Sequence, residues 1–188
     1  MTEAKTTLLP SVDLDRHASF RSAQLLLAFS VARRLSVQMS TTDRVAIYDF
    51  FAANPFAVLS GNDAADLQDV TRLELAGYAK GQLSYASLGH RFVSRRERIR
   101  ADLAILVSHS LVEVGEEAYS ITTQGEALAE ELQSAYADAY RLAAEVVLLR
   151  LNRMTDKALR EATAKWAGTH WLLVDLFDDV VDPEVAEI

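Results

Sequence analysis

The chain has 188 residues, half of them hydrophobic, with 27 acids against 19 lysines and arginines, a net charge of −8 and no cysteine. That length suits one domain with a sizeable core, and the lack of cysteine excludes disulfides and thiolate metal sites and favours a cytoplasmic protein. No apolar run approaches the roughly 18 residues of a bilayer span, and Met1 to Leu14 lacks the basic-then-apolar order of a signal peptide.

The charge is unevenly placed. Asp175 to Ile188 holds six acids and no base, whereas Arg91 to Arg100 holds five arginines and one glutamate. The chain therefore divides into a flexible N-terminus (1–14), one folded domain (15–177) and an acidic tail (178–188).

Asp15 to Val37 reads as a first long helix, with Phe20, Leu27, Val31 and Leu35 recurring on one face. Ser40-Thr41-Thr42-Asp43 supplies caps for a second helix, whose Val45, Ala46, Ile47, Tyr48, Phe50 and Phe51 enclose the single charge Asp49. Such a helix is buried on most sides, against the core or a partner, and Asn54-Pro55 ends it. From Phe56 to Val93 no period is sustained, although Ala64 to Leu75 suits a short helix. So long a weakly patterned stretch suggests a partner-binding loop.

Ser94-Arg95-Arg96-Glu97 has the form of a capping box, which predicts a helix starting at Ser94, with Ile99, Leu103, Leu106 and Val107 on one face, and ending near Ser110. Leu111-Val112-Glu113-Val114 and Ala118-Tyr119-Ser120-Ile121 then make a hairpin around Gly115-Glu116-Glu117. Thr123-Gln124-Gly125-Glu126 looks like a second capping box, opening one long helix through Leu128, Leu132, Tyr136 and Leu142 to Leu151. A break at Asn152 to Thr155 precedes a last helix, Asp156 to Trp166, with Gly168 as C-cap. Helix, hairpin and Thr-capped helix in this order predict a mainly α fold: a winged helix-turn-helix with a small β-hairpin wing and additional N- and C-terminal helices.

Catalytic signatures are missing. There is no phosphate-binding glycine loop, no nucleophile elbow, and His17, His90, His109 and His170 lack metal-ligand spacing. No enzyme and no cofactor are expected. Arg91, Arg95, Arg96, Arg98 and Arg100 are the constellation that stands out. With Ser94 as cap, Arg95 and Arg96 occupy the first turn, where the helix dipole disfavours cations, so they are read as exposed and either aimed at an anion, DNA phosphate or a partner's carboxylates, or part of a solvated face paired with nearby acids such as Glu97 and Asp102. Glu116 and Glu117 at the wing tip would repel phosphate, so a basic helix beside an acidic wing suits a protein partner.

The run Leu83-Ser84-Tyr85-Ala86-Ser87, with Arg91-Phe92, Arg95-Arg96 and Leu111-Val112, resembles middle components of bacterial ABC-three-component systems. So does Ala46-Ile47-Tyr48-Asp49-Phe50-Phe51 with Asn54-Pro55-Phe56 upstream, and the resemblance spans Leu25 to Leu151. It implies a non-catalytic accessory subunit that bridges an SMC- or RecN-like ABC ATPase, an effector subunit and DNA held in the complex, in defence against phage or plasmids. Leu83 and Tyr85 join the arginines, Glu116 and Glu117 as expected partner- or DNA-binding residues, and a homodimer is an open alternative. A PadR- or MarR-like transcriptional repressor, sharing the leucine, hairpin and Thr-x-x-Gly pattern, is the competing reading.

Overall fold

A computed structural model describes residues 17–59, 63–80 and 88–168. Within them are seven α-helices and one two-stranded antiparallel hairpin: α1 (Ala18–Arg34), α2 (Thr42–Ala53), α3 (Ala64–Leu75), α4 (Leu88–Ser108), β1 (Val112–Val114), β2 (Tyr119–Ile121), α5 (Thr123–Glu131), α6 (Ala135–Leu151) and α7 (Asp156–Ala167). The expected mainly helical fold with a small hairpin is present. The 1–14 and 178–188 termini, Leu83 and Tyr85 lie outside the described residues.

The apolar run of α2 makes it the centre of the core. Every residue from Arg44 to Ala52 is buried, and the helix packs against α6, α4 and α1. Thr41 caps it, accepting from the Arg44 amide at 3.1 Å, and Asn54 closes the far end by donating to the Phe50 carbonyl at 2.9 Å. Phe50, Phe51, Phe92 and Trp166 gather α2, α4 and α7 into one aromatic cluster with ring centroids 5.1 to 6.2 Å apart. At its other end Arg44 donates to Asp156 at 2.7 Å and to the Met154 carbonyl at 2.8 Å, fixing the start of α7 to α2.

Three boundaries differ from the sequence reading. Helix α4 is already formed at Leu88, so the Ser94 capping box does not exist. Ser94 sits within the second turn of the described helix, and its carbonyl accepts from Arg98 Nε at 2.8 Å. The first turns were concealed because Gly89 and Arg95 occupy core positions of a helix whose buried face runs Leu88, Phe92, Arg95, Ile99, Asp102, Leu103 and Leu106. Second, Thr122 caps α5, not Thr123; it accepts from the Gly125 amide at 3.0 Å, which leaves Glu126 outside any capping box. Third, the single long helix through Leu151 is two helices. Ser134 restarts the chain as the cap of α6, accepting from Ala137 at 3.0 Å. Arg141 then satisfies the carbonyls left open at the end of α5, Ala129 at 2.6 Å and Leu132 at 2.9 Å. Elsewhere α3 has the predicted bounds, and Thr155 and Gly168 flank α7.

Candidate interaction surface

The hairpin is held to the body by its own ends. Its register pairs Val112 with Ile121, Glu113 with Ser120 and Val114 with Tyr119. At its base the Thr122 hydroxyl donates to the Ser110 carbonyl at 2.7 Å, and the Thr122 amide donates to the Leu111 carbonyl at 3.0 Å. Gly125 completes this junction. A Cβ there would lie 2.1 Å from the Leu111 carbonyl oxygen, so no larger residue lets α5 approach the end of α4. This is the physical content of the Thr-x-x-Gly spacing. Beyond the junction Glu113, Val114, Gly115, Glu116 and Glu117 are exposed, with Val114 63% accessible.

The arginines of α4 do not form one patch. At about 100° per residue, Arg95 points inward, Arg96 and Arg100 lie on one flank, and Arg91 and Arg98 lie on the other. Arg95 is only 8% exposed. Its Nε donates to Asp49 Oδ2 at 2.5 Å, and Asp49 Oδ1 accepts from the Tyr140 hydroxyl at 3.0 Å. Burial alone would lower the Arg95 pKa, but the Asp49 charge and hydrogen bond outweigh it, and the guanidinium is held above its usual value. Burial, reinforced by the Asp49 charge, pushes the Tyr140 hydroxyl well above 10. A second pair joins α1 to α4, where Arg21 grips Asp102 through two bonds of 2.8 and 2.9 Å.

Arg95 is therefore not an exposed first-turn residue, and its role is to neutralise Asp49, the buried acid of α2. The sequence clue was that acid. Asp49 in the apolar run Val45 to Ala53 needs a cation, and the partner sits 46 residues away. Arg96 pairs with Asp43 at 3.1 Å on the surface. Arg91 donates to Asn54 at 3.3 Å, Arg98 bonds within its own helix, and Arg100 is exposed.

What remains outward-facing is bipolar. The N-terminal half of α4 presents cations on two flanks, while the hairpin and α5 present carboxylates. Among residues 113–131 there are six glutamates and no base, and among the described residues the ion pair they make is Glu126 with Arg33 at 2.9 Å. Among the described residues no group of three or more His, Asp or Glu is arranged to hold a metal ion, and no helix is long and apolar enough to cross a membrane.

Residues 83–172, from just before α4 through the end of α7 and beyond, match the family model of the ABC-three component (ABC-3C) system Middle Component 2. Over that span the chain is similar to Middle Component 2. The resemblance drawn from short motifs is borne out; the match begins at Leu83 rather than Leu25 and extends past Leu151 to Leu172. A middle component works with the other components of its system. No curated protein and no solved structure is significantly similar to the chain.

Proposed function

We propose that this protein is a non-catalytic winged-helix subunit that bridges an SMC-like ABC ATPase and its effector, with DNA engaged through the assembled complex, in an antiviral or anti-plasmid defence system of the cytoplasm. The observation that carries the reading is the middle-component match across α4, the hairpin and α5 to α7.

The winged-helix part is supported by a third strand position. Met39, between α1 and α2, bridges Tyr119 in antiparallel fashion, and the Tyr119 amide donates to the Met39 carbonyl at 3.0 Å. Helix, bridge, helix, helix, hairpin is the winged-helix order. The usual tight turn between the second and third of these helices is replaced here by the stretch 54–87, which contains α3. The repressor reading loses ground for the same reason. A recognition helix needs a free N-terminal turn to enter the major groove, whereas Leu88, Gly89 and Phe92 of α4 are buried.

Co-expression with the large ATPase and the effector component of the same system tests the proposal. All three should elute as one complex, and the isolated protein should show no heat of binding when titrated with ATP and Mg²⁺. A protein that elutes alone, yet binds a palindromic duplex as a dimer, would establish the repressor instead.

A further inference from the structure

Among the described residues the hairpin has one edge occupied and one open. In an antiparallel ladder, pairs that exchange hydrogen bonds alternate with pairs that do not. The Thr122 amide bonds to Leu111, and the Gly115 amide bonds to the Ala118 carbonyl at 2.9 Å. With the observed register, Glu113 and Ser120 are the bonded pair between them, so Val112 and Val114 turn their amides and carbonyls away from β2. On the β2 side the equivalent outward position, Tyr119, is bonded to Met39. On the β1 side Val112 is buried at 1% exposure, while Val114 stands 63% exposed with no hydrogen-bond partner among the described residues.

Protected edges carry lysine, proline or a bulge. This one carries an exposed β-branched residue flanked by Glu113, Glu116 and Glu117, and from Ala101 to Tyr140 the chain has no lysine or arginine at all. An incoming strand would find two free backbone groups at Val114, an apolar contact on one face and carboxylates on either side. That pattern is complementary to an extended segment with basic side chains and mismatched to nucleic acid.

We infer that the open edge of β1 receives an extended, lysine- or arginine-bearing segment of another component of the system as an added strand. This rests on the accessory-subunit reading above. The test uses the full chain co-expressed with the ATPase and effector components, with a photo-crosslinking phenylalanine analogue at Val114. Irradiation should give a cross-link to a basic segment of one of those components. V114P removes the outward amide without touching the β1–β2 ladder and should weaken assembly roughly tenfold or more. If that variant loses its hairpin, the surface variant E113K/E116K/E117K should do the same and should also reverse the salt dependence of assembly. A complex that forms while V114P and the triple variant assemble as wild type would overturn this inference alone. Cross-linking to a second copy of the chain or to DNA would also overturn it. Failure of the unmodified chain to assemble would count against the accessory-subunit reading instead.

Discussion

The first half of α4 and the hairpin with α5 are both rich in charge, and they met opposite fates. The arginines of α4 enter a body that already contains opposite charge at matching depth: Asp49 in α2 takes Arg95, and Asp43 at the start of α2 takes Arg96. Among the described residues the glutamates of the hairpin and α5 find one cation, Arg33 beside Glu126, and the hairpin glutamates stay in solvent. The difference shows that a run of like charge becomes core or surface according to what the opposing helix offers. Its own sign and density do not decide.

The largest effect expected from breaking this contrast is at the buried pair. D49A or R95A strands a desolvated charge and should cost about 3–5 kcal/mol in chemical denaturation, whereas the paired replacement D49L/R95M should recover most of that loss. Equal damage from the single and double variants would show that the pair is not what holds α2 to α4. Next comes the hairpin junction. G125A has no room for its methyl against Leu111 and Ile121, and should cost about 1–3 kcal/mol, read as a lowered midpoint. R96A removes a half-exposed pair with Asp43 and should cost under about 1 kcal/mol. E116Q/E117Q should leave stability within about 0.5 kcal/mol of wild type.

A final contrast is silent at neutral pH. The Tyr140 pKa is raised by burial, so the folded state keeps a proton that the unfolded chain releases near pH 10. Its contribution is complete below that pH and is lost as pH rises toward the folded value. Stability curves at pH 9 to 11 should therefore fall more steeply for wild type than for Y140F.

Much of this was legible in the chain itself. Asp63, Thr155 and Asn54 punctuate α3, α7 and α2 because short polar side chains cap helix ends by local hydrogen bonds, which sequence spacing records. The hairpin was legible for a similar reason, as Gly115 and the Thr122 to Gly125 spacing are local chemistry. The start of α4 was not, since its core face includes an arginine and an aspartate, and a period counted in apolar residues skips them. Likewise Leu128, Leu132 and Tyr136 keep a spacing of four across the break between α5 and α6, so the periodicity reads straight through Ser134. As for the interaction surface, Glu116 and Glu117 were visible as acids, but the exposure of Val114 depends on strand register.

The two buried ion pairs bear on how the polypeptide is made. Arg21 and Asp49 lie upstream of residue 83, where the family match begins, and their counterions Asp102 and Arg95 lie inside it. The stretch that matches the family and the cooperative folding unit are thus different lengths of chain. A fragment cut to residues 83–172 would retain Arg95 and Asp102 without counterions, and should emerge from expression as an unfolded or aggregating species. On the ribosome, α1 and α2 leave the exit tunnel seconds before α4 at ordinary elongation rates. Until α4 arrives, Arg21 and Asp49 are hydrated charges on apolar helices, a state that a chaperone or a partner already in place would recognise.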